Sequence, residues 1–229
     1  MFLATLVVMG RAFAQTANQT PGKPSAGTEV TKLYGDASLM TDLMEYGMTQ
    51  TEHSMAIKAG FGYQWSQFRL GVSGYNVKFP KSEDSINVRL QASYKFLISA
   101  NTDLNVGYIL NNYSKEGSRN GNIISVDLQM FTYHVKYSSQ ENFEASGATN
   151  VRYGFGKEWA FLWGTTLEAG LGYNDVVDSG FSNFFDAEGH WRIRWQEITW
   201  AMSLGTNSKA AEYPGRSGLL FILSASVAF

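Results

Sequence analysis

Asp186, Glu188 and His190 stand at alternate positions in a run that continues through Arg192 and Arg194. In an extended strand alternate residues share one face. Two carboxylates, an imidazole and two guanidiniums would therefore project together. A carboxylate beside a histidine is a pairing that general acid–base chemistry uses. No serine lies within the run at the spacing expected of a nucleophile. Alternate strand positions are about 6.8 Å apart, which is awkward for closing on a single metal ion. His134, in Phe131-Thr132-Tyr133-His134, has no partner identifiable from sequence. A polar face carrying one histidine is simplest as structure, so no catalytic residue, metal site or cofactor is assigned.

Other charges fall on polar faces of the same kind: Lys58, Arg69, Arg89, Lys95, Asp127, Arg152 and Glu168. The elements that must position them are strands. Ile86, Val88, Leu90, Ala92, Tyr94 and Phe96 alternate with Asn87, Arg89, Gln91, Ser93 and Lys95. Such period-two alternation means one strand between two unlike environments. Eleven runs of this kind are legible, at 33–47, 54–65, 67–79, 86–98, 102–114, 122–138, 149–160, 164–175, 183–195, 197–206 and 218–229. A soluble sandwich would also alternate, but its strands run to about five or six residues. Membrane strands tilted across a bilayer need about nine to eleven.

The end residues point the same way. Tyr63, Trp65, Tyr94, Phe96, Tyr173, Trp191 and Trp195 sit on apolar faces near strand ends, as in the aromatic girdles of membrane barrels. The opposite faces carry Gly60, Gly62, Gly71, Ser73, Gly154, Gly156, Gly170 and Gly172, small enough for a narrow lumen.

Composition is consistent with this. Only 17% of the 229 residues are charged and the net charge is −2, which gives no basic face for nucleic acid. With no cysteine, disulfides and thiolate metal sites are excluded. No apolar run reaches the roughly 20 residues of a membrane helix, so a membrane role must come from a closed barrel. All four prolines, Pro21, Pro24, Pro80 and Pro214, fall outside the strand runs. At the start, Phe2–Met9 is apolar and Ala12-Phe13-Ala14 fits a cleavage site, so 1–14 is read as a signal peptide. No positive charge precedes the apolar run, so the true start is expected upstream of Met1. Residues 15–30, rich in Thr, Ser, Gly and Pro, read as a flexible periplasmic lead-in. Residues 31–229 are the barrel.

In the last run Leu219, Phe221, Leu223, Ala225, Val227 and Phe229 occupy one face, and the chain ends on an aromatic. Phe221, Leu223, Val227 and Phe229 resemble the C-terminal assembly signal of bacterial outer-membrane β-barrels. The resemblance covers about ten residues closely and the rest only in pattern. It implies an outer-membrane address, contact with outer-membrane lipid, and recognition by the barrel-assembly machinery.

The expected fold is all-β: a closed antiparallel transmembrane barrel of twelve strands, with ten as the alternative if 33–47 forms a plug or periplasmic segment. Such barrels place short turns on the periplasmic side and longer loops outside. Counting from the two ends then makes both 115–121 and 139–148 external, with one strand between them. A hidden break near Met130 would resolve the clash. There the apolar residues change phase, from Ser125, Asp127 and Gln129 to Phe131, Tyr133, Val135 and Tyr137. A β-bulge would also change the phase, and no glycine or proline marks a turn.

Arg69, Lys95, Arg192 and Arg194 should lie near the periplasmic end of the lumen, with Arg89, Asp186 and Glu188 as further lining. A basic ring would favour anions. The expected function is a narrow porin-like channel for small polar or anionic solutes. Twelve-strand channels for acidic sugars carry arginine-lined lumens, which this chain resembles at the level of fold. The alternative is a non-conducting structural or docking barrel with an envelope protein partner or as a homo-oligomer, and behind it an outer-membrane hydrolase. Loops no longer than about ten residues suit a compact pore or an assembly subunit.

Overall fold

The computed structural model describes residues 31–80, 82–177, 180–209, 212 and 218–229. The signal peptide and lead-in expected over 1–30 lie outside the described residues. Strands run β1 Thr31–Met40, β2 Met44–Glu45, β3 Met48–Thr49, β4 Ala56–Trp65, β5 Phe68–Asn76, β6 Ile86–Ser99 and β7 Thr102–Tyr113. They continue as β8 Gly121–Met130, β9 Tyr133–Phe143, β10 Ala148–Ala160, β11 Thr165–Val177, β12 Phe184–Trp195, β13 Ile198–Asn207 and β14 Leu220–Ala228. β1 and β4 to β14 close a twelve-strand antiparallel barrel in chain order, while β2 and β3 pair only with each other. No described helix is long and apolar enough to cross a membrane.

The barrel is inside out relative to a soluble protein. Leu33, Phe61, Leu171 and Phe185 are more than 60% exposed, whereas Asn87, Asn150, Asn174 and Asp186 are at most 1% exposed. Closure satisfies the backbone of every strand without water, which a hydrocarbon surround requires. The aromatics expected as girdles, Tyr63, Trp65, Tyr94, Phe96, Tyr173, Trp191 and Trp195, all face outward and are exposed.

The seam joins the two ends of the barrel. β14 pairs with β1 from Asp36↔Ala228 to Met40↔Ser224. Beyond it, Gly35 and Phe229 exchange backbone hydrogen bonds of 2.7 and 2.9 Å. A Cβ at position 35 would fall 2.5 Å from the Phe229 ring. The terminal aromatic thus packs directly over Gly35.

Two expectations need correction. First, 122–138 is not one strand. β8 ends at Met130, Phe131 and Thr132 form a tight turn, and β9 continues to Phe143, taking in much of the segment expected as a loop at 139–148. Phe131 has φ +56°, as Ser66 (+53°) and Gln196 (+56°) do in two other two-residue turns. A bulky residue in the left-handed region costs about 1 kcal/mol or more, and the ladders on both sides hold it there. The turn therefore carries no glycine or proline. Second, the run 33–47 leaves the barrel wall after Met40. Residues 41–55 form a loop longer than the ten residues expected of any, and it turns into the lumen.

Candidate functional site

The inward loop is built around one carboxylate. Asp42 Oδ1 accepts from the Leu43 N–H at 2.7 Å and lies 2.6 Å from both the Thr49 and the Thr51 hydroxyl. Its Oδ2 is 3.2 Å from His53 Nδ1. This knot folds β2 and β3 into a hairpin whose central pair, Tyr46 (φ +53°) and Gly47 (φ +68°), is left-handed at both positions, a type I′ turn. The tip presses on the opposite wall. A Cβ on Gly47 would stand 2.3 Å from the Thr206 carbonyl oxygen, and Asn207 Nδ2 donates to the Gly47 carbonyl at 3.3 Å.

Apolar clusters hold the hairpin from two sides. Met48, Phe143, Ala148, Val176 and Phe184 form one, with Tyr46 against it. Tyr75, Val77 and Phe79 form the other, joined by Leu43 and Tyr113. Polar contacts complete the fit. Glu45 pairs with Arg89 at 2.6 Å, and Arg89 Nε donates to Asn111 Oδ1 at 2.7 Å. The Arg152 guanidinium lies 5.7 Å from the Tyr46 ring centre and forks onto Asp186 at 2.6 and 2.8 Å. Asn174 also donates to Asp186, at 2.6 Å. Between the hairpin and the wall near Arg119, Gln140 and Phe143 a cavity of about 10 Å³ remains, room for one water at most. The long-loop half of the lumen is filled.

The short-turn half is different. Its walls carry paired but partly exposed charges. Glu168 accepts from Lys136 at 3.3 Å and from Arg192 at 2.9 Å. Lys95 pairs with Asp103 at 3.0 Å, and His134 Nδ1 is 3.3 Å from Asp127 Oδ1. Arg69 Nε donates to Gln64 at 3.0 Å. Among the described residues neither Arg69 nor Arg194 has a carboxylate partner, and both are exposed.

The sequence-derived lining residues thus divide between levels. Arg69, Lys95, Arg192 and Arg194 lie toward the short-turn end, but on far sides of the barrel, β5 and β6 against β12. Arg89 and Asp186 belong to the filled half. Glu188 lies between, 3.5 Å from His190 Nε2. The missing serine for His190 comes from the next strand: Ser203, its register partner on β13, places Oγ 2.8 Å from Nδ1. This does not make a nucleophile site. Ser203 sits mid-strand, paired to β12 on one side and β14 on the other. The neighbouring backbone N–H groups are spent in ladders rather than turned toward a developing oxyanion.

Sequence reasoning offered 33–47 as a plug only in the ten-strand alternative and named no residue of the hairpin as part of a site. The available signal was Tyr46-Gly47, a pair suited to a tight turn, between Met44-Glu45 and Met48-Thr49.

No protein-family model matches the chain, and no curated protein matches its sequence. Its fold does match solved structures. KdgM porin superimposes with a TM-score of 0.57 at 13% identity, over 86% of this chain and 99% of that one. KdgM porin in complex with disordered oligogalacturonate gives 0.57 at 10% identity, over 87% and 99%. LpxR from Salmonella typhimurium gives 0.51 at 9% identity, over 86% and 99%. The likeness at these identities is one of fold: a closed antiparallel β-barrel.

Proposed function

We propose that this chain is a narrow outer-membrane channel for small polar or anionic solutes, closed at its long-loop end by the 41–55 hairpin. The carrying observation is the short-turn vestibule, a charged lumen wall whose exposed cations Arg69 and Arg194 lack carboxylate partners. Glu168 is engaged by two cations and Asp103 by Lys95, and the exposed Arg69 and Arg194 are the charges that would favour anions. The fold of KdgM porin, seen elsewhere with oligogalacturonate, supports the same class. Short turns face the periplasm in this reading and the hairpin faces outside. Phe221, Leu223, Val227 and Phe229 would be read by the barrel-assembly machinery.

One observation favours a second reading. The hairpin packs between two apolar clusters like a permanent core, which suits a non-conducting structural barrel, alone or with an envelope partner. Planar-bilayer recording separates the two. The channel reading expects discrete steps with anion preference, rare in wild type and frequent in Gly47→Val. Silence from both proteins at every voltage leaves the structural barrel.

A further inference from the structure

Lys157 faces the wrong way for a lysine in this barrel. It pairs across the ladders with Tyr133 on β9 and Ala169 on β11, both on the outward face. It is the only basic side chain on that face among the described strand residues. Its ammonium sits 4.8 Å from the centre of the Tyr133 ring and 5.2 Å from that of Trp159. Among the described residues no carboxylate pairs with it. The two rings hold the charge at the girdle, since an ammonium is attracted to ring faces, and an anion is absent from its protein surroundings.

A groove begins at this lysine. The register row Lys157↔Ala169↔Gly189↔Leu204 crosses four strands. The next row is Phe155↔Leu171↔Ala187↔Thr206. Small residues Ala169, Ala187 and Gly189 make the floor, and Phe155, Leu171 and Leu204 stand around it. The depression holds about 490 Å³, against roughly 30 Å³ for a water. The row also climbs. Lys157 lies three positions before the short-turn end of β10 at Ala160, and Gly189 six before that of β12 at Trp195. One end of the groove is at the interface with a cation, and the other is deeper in the apolar band.

We propose that Lys157 and the groove over Ala169, Ala187 and Gly189 form a docking site for an anionic phospholipid of the leaflet on the short-turn side. The phosphate and its negative headgroup meet the ammonium, and one acyl chain lies along the small-residue floor. A second outward groove, lined by Leu39, Trp200, Met202 and Leu223, has no charged residue in its wall and serves as the internal contrast. The inference needs the barrel to span a membrane but not to conduct, so a silent bilayer trace leaves it standing.

The test is native mass spectrometry of the full chain released from nanodiscs of phosphatidylglycerol or phosphatidylcholine. Folding of every variant is checked by heat-dependent gel mobility. Wild type should retain one phosphatidylglycerol about fivefold more often than phosphatidylcholine, the scale of one lysine near a membrane surface. Lys157→Gln should bring that ratio to about one, and Lys157→Arg should keep it. Ala169→Phe, which fills the floor, should lower retention of both lipids, while Met202→Phe in the uncharged groove should leave the ratio unchanged. Equal retention of the two lipids by wild type, or an undiminished ratio in Lys157→Gln, overturns the proposal.

Discussion

The two halves of the lumen use the same strands for opposite ends. Toward the long loops, Asn87, Asn150, Asn174 and Asp186 are buried against the inserted hairpin. Toward the short turns, Lys95, Lys136 and Arg192 keep more than a third of their side-chain surface exposed. The first half is a packed core, where geometry decides what fits. The second is more exposed, so its charges are screened and each contact is weak. A barrel wall of one pattern can therefore hold a packed half and a more exposed half in series.

The sharpest way to break this contrast is at the hairpin tip. Gly47→Val adds a branched side chain where φ is +68° and Thr206 carbonyl oxygen is 2.3 Å away. The strain alone is up to about 3 kcal/mol, and the clash adds to it. The hairpin should leave its seat. With no native cysteine, Met48→Cys reports this directly: its maleimide labelling should be slow in the parent and more than tenfold faster with Gly47→Val. Equal labelling would show that the tip is not what holds the hairpin in.

A smaller effect is expected at its flank. Glu45→Ala strands Arg89 beside Asn111 with its ion-pair partner gone. A fully buried pair broken this way costs about 3–5 kcal/mol. Here the side chains are 17% and 21% exposed, so about 2 kcal/mol is the expected destabilisation of the seated hairpin. The same Met48→Cys reporter should show a rise below that of Gly47→Val. A larger rise would make the ion pair, and not the tip, the main fastening.

The difference between the halves also explains what could be read from sequence. The wall was legible because alternation is local: each strand from β4 to β7 shows its two faces in its own residues. Twelve strands were expected and twelve close the barrel; the break near Met130 showed only as a change of phase, because bulky Phe131 makes the turn in a conformation that the ladders enforce. The hairpin was hard to read because Met44, Tyr46 and Met48 fall on the even, inward phase of β1, opposite Leu33, Ala37 and Leu39, and the residues that seat them, Phe143, Phe184 and Asn207, lie far along the chain. Charge placement fared likewise. Strand direction alone set Arg192 and Arg194 beside a short turn, and β12 ends there at Trp195. The partners of His190 and Arg89 come from Ser203 and Glu45, neighbours set by register and by an inserted loop.

In the vestibule the expected effects are smaller because water reaches the charges. Arg69→Glu together with Arg194→Glu reverses two cations without breaking an ion pair. In the Gly47→Val background the anion-to-cation permeability ratio should fall about two- to fivefold, the scale of interactions below about 1 kcal/mol. The reversal potential in a salt gradient measures it. An unchanged value would remove both arginines from selectivity and leave Lys136 and Arg192 to account for any preference.

The smallest effect lies outside the lumen, where loops brace the filled half from above. Burial pushes the Asp84 carboxyl up, but the Glu116 and Lys115 N–H groups, the Ser82 hydroxyl and the nearby Arg119 outweigh it, so its pKa falls below the ordinary value. Both N–H groups donate to Asp84 Oδ1 at 3.0 Å, tying residues 82–85 to 115–116. A carboxyl with a lowered folded pKa contributes stability that is full above its unfolded pKa, about 3.9, and is lost as pH falls through the folded value. Wild type should thus lose this brace only in strong acid. Asp84→Ala should melt lower than wild type at neutral pH, by on the order of 2 °C, and the two curves should converge as pH falls through the lowered folded value. A gap that persists unchanged into acid would mean that the aspartate acts through packing, and that the brace over the hairpin carries no charge dependence.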